Sequence, residues 1–359
     1  MMKTLLVGYK AADLTPEMLE GDVTCHVLDI YHRHAIEKVH HAKVVCSAHL
    51  PEGPWDLIRF RTGPKIHSGE LALDLLQECH GLICGDRNVA APTERDVSSG
   101  RRHSCRLEVE FEGRERDRND LLNKIKDDPK RVRSFKAEWP ASVPGGEKLM
   151  FTSYPGCFCH RRLDEGGLAL AEVASRELLD LRRQECRRPD SGAFKCGEAT
   201  FLSPREPGCG LSILDMGCGC GLVGFLIANR LEHAIEQSNN PDNQAVSLVL
   251  VDSHARAVEA ATENAAKFGI EAEVILSDNG TPARMDGTFD VFVGNPPYYS
   301  DYRIAEVFLE TAKRALKPGG ICYTVVKNAA GLKPVQERFF PEAEVLGRRG
   351  YSVLRSVRE

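Results

Sequence analysis

Leu211-Ser212-Ile213-Leu214-Asp215-Met216-Gly217-Cys218-Gly219-Cys220-Gly221 decides the fold. An apolar run leads into an aspartate and three alternating glycines, and Leu222 to Leu231 then reads as a helix. Glycines at such a corner allow positive φ and let a ligand approach the backbone closely. Their spacing differs from G-x-G-x-x-G, which argues against a pyrophosphate-bearing dinucleotide. Working outward, Ser247 to Asp252 is a second apolar strand that ends in a carboxylate. Ala272 to Leu276 is a third, ending in Ser277-Asp278-Asn279-Gly280, and Phe289 to Val293 a fourth, ending in Gly294-Asn295-Pro296-Pro297-Tyr298. Strands that each end in a polar or glycine-rich loop describe an open α/β sheet with ligand groups along its carboxyl edge, where an acidic residue such as Asp252 meets ribose hydroxyls.

Asn295-Pro296-Pro297-Tyr298 has a chemistry of its own. Proline lacks an N–H, so this loop offers acceptors rather than donors. It suits a planar donor, an exocyclic NH₂ or an amide, and Tyr298 adds a flat face for stacking. The plain alternative is a Pro-Pro turn that merely ends a strand; the glycine loop upstream favours a site.

These segments resemble the class I S-adenosylmethionine-dependent methyltransferases. More narrowly, residues 150–359 are similar to the methyltransferase small-domain family, which includes the bacterial ribosomal RNA guanine-N2 methyltransferases. The match rests on Pro155-Gly156-Cys157-Phe158 followed by Leu163-Asp164-Glu165-Gly166, and on Asp215-x-Gly217-x-Gly219-x-Gly221. It rests further on Val251-Asp252 with a helix over Ala255 to Phe268, on Asn295 to Tyr298, and on Leu316-Lys317-Pro318-Gly319-Gly320. The resemblance implies a Rossmann-like sheet closed by an antiparallel hairpin, here Val345 to Val357. It implies S-adenosylmethionine as cofactor, held by Asp215, Gly217, Gly219, Gly221, Asp252, Asp278, Asn279 and Asn295. It implies that Asn295 and the Pro296 carbonyl accept from the target amine, with Pro297 and Tyr298 completing the catalytic loop. Many family members follow the aromatic with a histidine; here Tyr299-Ser300-Asp301 follows, which leaves the identity of the target open.

The chain of 359 residues is long enough for two cores. We expect an N-terminal α/β domain over 1–145 and a catalytic domain over 146–359, with Pro140 to Gly146 as linker. Strands are expected at Leu5–Val7, Val23–Leu28, Lys43–Cys46, Asp56–Phe60, Gly81–Cys84 and Arg106–Phe111, with a helix over Gly69–Cys79. This succession lacks the glycine loop and is compatible with a degenerate copy of the catalytic fold that binds RNA. Net charge is −5, so attraction to RNA would depend on local runs such as Arg101-Arg102, Lys130 to Arg133, Arg187-Arg188 and Arg348-Arg349. Thirteen cysteines, no secretion signal and no apolar run of membrane-spanning length point to a cytoplasmic protein with reduced thiols, and a monomer is expected. The Cys157, Cys159, His160, Cys186, Cys196 and Cys209 spacing does not match paired C-x₂-C sites, and no metal is expected.

The expected activity is methyl transfer to guanine N2 in ribosomal RNA. The alternatives are adenine N6 in RNA or DNA, a glutamine amide in a protein, or a non-catalytic RNA-binding assembly protein that keeps the fold.

Overall fold

In the computed structural model, which describes residues 2–84, 105–117, 119–120, 135–186, 210–237, 246–297 and 301–359, the chain divides into two units. Unit 1 comprises Met1–Ala137, Tyr154–His160 and Ser253–Arg256; unit 2 comprises Glu138–Ser153, Arg161–Asp252 and Ala257–Glu359.

Unit 1 is built on strands β1 (Lys3–Val7), β2 (Asp22–Val27), β3 (Lys43–Cys46), β4 (Leu57–Thr62) and β5 (Arg106–Phe111), in the order β3-β2-β1-β4-β5 and all parallel. Alternation along β1 serves two cores, because successive side chains leave opposite faces of a strand. Leu5 and Val7 join Ile58, Phe60, Leu75, Leu76 and Cys79 on one face. Leu6 joins Cys25, Val27 and Ile36 on the other. Helix α1 (Ile30–His40) covers the second face and α2 (Gly69–Cys84) the first. The connection from β1 to β2 contains only the short 3₁₀ turns Ala11–Asp13 and Pro16–Leu19, not an α-helix.

Gly81 to Cys84, expected as a strand, is the last turn of α2. A four-residue apolar run carries no period of its own, and here Leu82 and Ile83 continue the helical face that packs on the Leu5–Phe60 core. Pro140 to Gly146 is likewise not a free linker. Pro140 and Ala141 end strand β6 (Ala137–Ala141), which pairs with β7 (Leu149–Ser153), and Gly146 N donates to Val143 O at 3.0 Å in a turn.

Within unit 1, Arg256 is the largest fully buried side chain, 1% exposed. Its Nη1 pairs with Asp74 Oδ2, its Nη2 with Glu78 Oε1 at 3.0 Å, and its Nε donates to Ala48 O at 3.0 Å. Nη1 also donates to Pro155 O at 3.3 Å. A planar guanidinium can meet this many acceptors at fixed angles; a lysine cannot.

Unit 2 carries strands β8 (Leu211–Met216), β9 (Val246–Asp252), β10 (Ala272–Leu276), β11 (Phe289–Gly294), β12 (Leu316–Val326), β13 (Glu344–Arg348) and β14 (Tyr351–Val357). Their order is β10-β9-β8-β11-β12-β14-β13, parallel except for β14, which runs antiparallel to both β12 and β13. In chain order, the first five strands of this sheet repeat the order of unit 1. Helices α3 (Glu165–Cys186), α4 (Leu222–Glu236), α5 (Ala255–Phe268), α6 (Arg303–Ala315) and α7 (Ala329–Gln336) make the crossovers and cover the sheet. Helix α6 shows why it forms: Ala305, Phe308, Leu309, Ala312 and Ala315 fall on one buried stripe at helical spacing, with charged residues opposite.

The closing hairpin turns at Arg349-Gly350, both with positive φ (51° and 71°), as a two-residue loop between twisted strands requires. The basic pair Arg348-Arg349 is engaged there. Glu172 on α3, 3% exposed at its side chain, accepts from Arg348 Nε and from Arg349 Nε and Nη2, the last two at 2.9 and 2.8 Å. Burial alone would raise the Glu172 pKa, but Arg349 and Arg348 outweigh it and hold the carboxyl below its usual value.

Replacing Arg256 tests the buried ion cluster. Arg256→Ala leaves the half-buried Asp74 and Glu78 without their shared buried cation, and a loss of about 3–5 kcal/mol is expected in urea denaturation of the full chain. A loss below about 1 kcal/mol would show that the cluster adds little.

Candidate functional site

Strand register brings the sequence motifs to one edge of the unit 2 sheet. Asp215 lies opposite Leu250 and Val293, Met216 opposite Val251 and Gly294, and Asp252 opposite Leu276. The loops after β8, β9, β10 and β11 therefore leave the sheet side by side. From β8 the chain crosses to β9 on one side, while β11 lies on the other. This is the topological switch point where open α/β sheets hold ligands.

The glycine loop is tied down along its length. Gly217 N and Cys218 N both donate to Val251 O, at 2.8 and 3.1 Å, and Gly221 N closes on Cys218 O at 2.8 Å. Gly219 N donates to Asp252 Oδ2 at 2.8 Å. From below, the fully buried Asn264 of α5 donates to Cys220 O and to Thr152 O, both at 2.9 Å, and accepts from Thr152 N at 2.8 Å.

All three glycines have positive φ, at 67°, 57° and 86°. They differ in what a side chain would meet. A Cβ at Gly217 would lie 2.6 Å from the Phe308 ring, and one at Gly221 would lie 2.3 Å from Phe225. Phe225 belongs to an aromatic cluster with Phe151 and Phe268, ring centroids 6.5 and 5.4 Å away, so it has little room to move. A Cβ at Gly219 meets nothing within 4 Å. Gly217 and Gly221 are explained by the protein's own packing; Gly219 faces open space, as a backbone made for close approach of a ligand does.

Asp215 is 2% exposed and its Oδ2 accepts from Gly224 N, in the first turn of α4, at 2.9 Å. Burial pushes its carboxyl up to about 7; the Gly224 amide opposes this, and the charges of Asp252 and Asp164 add to it. Asp164 is the residue before α3. Its carbonyl accepts from Leu168 N at 2.9 Å and its Oδ1 from Gly166 N at 3.0 Å. Its Oδ2 accepts from Asn295 Nδ2 at 2.8 Å. Burial raises the Asp164 carboxyl above its usual value, against the hydrogen bonds from Gly167, Asn295 and Gly166. A carboxylate placed as Asp215 is favours a positively charged ligand group, while both oxygens of Asp164 are engaged by Gly166 and Asn295.

Asp215, Gly217, Gly219, Gly221, Asp252 and Asn295 thus share the edge expected of them. Pro296 is buried and Pro297 half-buried beside them. Asp278 is half-buried in the loop after β10. Asn279 is exposed, its Oδ1 accepts from Ser277 Oγ at 2.9 Å, and its N donates to the same hydroxyl at 3.3 Å, so its recorded bonds are those of a local turn. Tyr298 lies outside the described residues, as do Arg101-Arg102, Lys130 to Arg133 and Arg187-Arg188.

Two residues had no role in the sequence reading. Asp164 has no function in the motifs; its signal is an acidic residue just before a helix whose second and third residues, Gly166 and Gly167, are glycines, an unusual helix start. Asn264 falls on the apolar face of α5 with Ala257, Ala260, Ala261 and Phe268, and an amide on such a face was the available signal.

A parallel sheet with this order, closed by a reversed hairpin and carrying a glycine loop after its first strand, is the class I methyltransferase fold. Residues 200–355 match the family described as Methyltransferase small domain, so the resemblance read from the motifs holds for this part of the chain. The chain is 30% identical over 201 residues to Ribosomal RNA small subunit methyltransferase C of Pseudomonas aeruginosa (strain UCBPP-PA14), covering 52% of this chain and 56% of that one. It is 32% identical over 133 residues to the protein of the same name from Pseudoalteromonas translucida (strain TAC 125), covering 36% of this chain and 35% of that one. The aligned segments thus span between about a third and a little over half of these relatives. Among solved structures, the T. thermophilus 16S rRNA N2 G1207 methyltransferase (RsmC), in complex with AdoMet and guanosine, shares the fold with a TM-score of 0.65 at 15% identity. That likeness covers 100% of this chain and 89% of the other.

The residues present fit S-adenosylmethionine. Gly219 provides an open, left-handed backbone position, Asp215 a buried carboxylate suited to a ligand cation, and Asp252 a carboxylate at the adjacent strand end.

Two measurements follow from this geometry. The folded-state pKa of Asp215, about 7, lies above its ordinary 3.8, so the folded protein holds a proton that the unfolded chain has lost. Stability should therefore fall as pH rises from about 4 to about 7, by up to about 4 kcal/mol, and stay low above that. Asp215→Asn, which keeps the acceptor for Gly224, should flatten this slope and be more stable than wild type at pH 8 in urea denaturation. An unchanged slope would contradict the buried charge. Separately, Gly219→Ala should cost roughly 1–2 kcal/mol of stability for its left-handed backbone and weaken S-adenosylmethionine binding more than about tenfold, read by calorimetry. Undiminished affinity would remove Gly219 from the site.

Proposed function

We propose that this chain transfers a methyl group from S-adenosylmethionine to an exocyclic amine, guanine N2 in ribosomal RNA. The observation that carries this reading is the position of Asn295. It follows β11 directly, across the switch point from the Gly217–Gly221 loop, so an amine acceptor and a cofactor cradle adjoin. The curated relatives' names support the RNA class of substrate, and the bound guanosine of the T. thermophilus neighbour supports guanine.

The cofactor, when bound, supplies an electrophilic methyl group, so the protein's work is to bind, orient and exclude water. In this reading Asp215 and the glycine loop hold the cofactor's amino acid end, and Asp252 accepts from its ribose. Asp278 and Asn279 stand at the next strand end, toward its base. Asn295 Oδ1 and the Pro296 carbonyl accept the two N–H groups of the target amine and so direct its lone pair. Pro297 keeps the loop poor in donors. Tyr298 stacks on the base, which must leave its helix or stack to enter the site. No helix among the described residues is long and apolar enough to cross a membrane.

Unit 1 is assigned RNA binding rather than chemistry. It repeats the strand order of unit 2, yet its β1 ends in the single glycine Gly8, where a Cβ would lie 2.2 Å from Arg61 O and 2.9 Å from His67. Gly8 stands directly after its strand, as Gly217 does in unit 2, and no glycine follows it within the next four residues to give an open position like that of Gly219. The assembly is read as a cytoplasmic monomer working on RNA or a ribosomal subunit.

Asn295→Ala should lower the single-turnover methyl-transfer rate by about 10²-fold or more, far more than it lowers cofactor affinity. Nucleoside digestion of the modified RNA should yield N2-methylguanosine. N6-methyladenosine would keep the geometry and change the substrate; full activity of Asn295→Ala would overturn the mechanism.

A further inference from the structure

The two ends of an asparagine carboxamide are nearly equal in shape and opposite in hydrogen bonding. One end donates and the other accepts. An amine target donates, so only Oδ1 can serve it, and a half-turn of the amide would present Nδ2 and repel the substrate. Something must therefore set which end faces the ligand.

We propose that Asp164 is the positioning residue that fixes the Asn295 carboxamide with its oxygen toward the target amine, an inference that rests on the functional reading above. Asp164 Oδ2 accepts from Asn295 Nδ2 at 2.8 Å, between residues 131 apart in sequence. Turning the amide would set two acceptors against each other at this short range. Asp164 is itself held, with Oδ1 on Gly166 N at 3.0 Å and its carbonyl capping α3 through Leu168 N at 2.9 Å. The following glycines leave the carboxylate its place. A Cβ at Gly167 would lie 2.6 Å from Oδ2, and one at Gly166 would lie 3.4 Å from Oδ1. Leu163-Asp164-Glu165-Gly166-Gly167 is thus a helix start whose cap residue reaches across to the end of another strand.

A cap alone does not require aspartate. Asparagine and serine cap a helix about as well, because one side-chain oxygen is enough. Aspartate alone of these accepts on both oxygens, one for the helix and one for Asn295. This separates the positioning role from the structural one.

Asp164→Asn tests it with volume and cap retained. With its Oδ1 on the helix amides, the new Nδ2 would face Asn295 Nδ2, and the Asn295 amide would turn. We expect kcat on RNA to fall by about 10²-fold, with cofactor affinity and KM for RNA within threefold of wild type and an unchanged Tm. The exchanged pair Asp164→Asn with Asn295→Asp restores a donor at 164 and an acceptor toward the amine, and should recover at least tenfold of the loss. A second readout needs no turnover. In full-length protein labelled with ¹⁵N-asparagine, the Asn295 side-chain resonance, identified by its absence in Asn295→Asp, should carry one downfield, slowly exchanging proton. Asp164→Ser keeps a cap oxygen but is too short to reach Asn295, and should lose that signature. A wild-type rate in Asp164→Asn, or an unchanged Asn295 resonance in Asp164→Ser, would overturn the inference and leave the functional reading standing. Absence of methyl transfer to any exocyclic amine by the wild-type protein would overturn both.

Discussion

The buried carboxylate of Asp215 is the constraint around which the site is built. It closes the corner between β8 and α4 by accepting from Gly224 N, and it does so at 2% exposure, where a negative charge is costly. That cost raises its proton affinity and makes the corner receptive to a cation. The glycine loop it borders is held by backbone bonds to β9 and by Asn264 from α5, so the position that remains open, Gly219, is rigidly presented rather than merely vacant of side chain. Rigidity of this kind is what lets a site orient two reactants.

Much of this was legible in the sequence because each signal has a local physical cause. Strands buried on both faces read as continuous apolar runs, and the glycines after β8 and the prolines after β11 mark backbone that only those residues serve well. Helix α5 has the bounds that the family resemblance implies, Ala255 to Phe268. The sequence was silent where the deciding contact is long-range. Nothing local says that Asp164 meets Asn295, or that Asn264 reaches both Thr152 and Cys220. It misled where an apolar run was too short to show a period, at Gly81 to Cys84. The basic pair Arg348-Arg349 carries a contact that no local signal shows: Glu172 lies far away in sequence, and the pair anchors the closing hairpin to α3 through it.

The two sheets share one strand order over five strands, yet only one has the loop that the order would serve. In unit 2 the turn after the first strand carries three left-handed glycines and leads into an α-helix. In unit 1 the turn directly after β1 has a single glycine, Gly8, pressed against Arg61 O and His67, and 3₁₀ turns follow. The shared strand order does not by itself make a site, since function resides in the site rather than in the strand order.

The central claim is that one of these two sheet edges, the one bordered by Asp215 and Gly219, binds S-adenosylmethionine. Calorimetric titration of the full chain with S-adenosylmethionine tests it most directly. One mole bound per mole of chain, with the binding abolished by Asp215→Ala, is the result this account predicts. No binding, or a second equivalent that survives in Asp215→Ala, would contradict it.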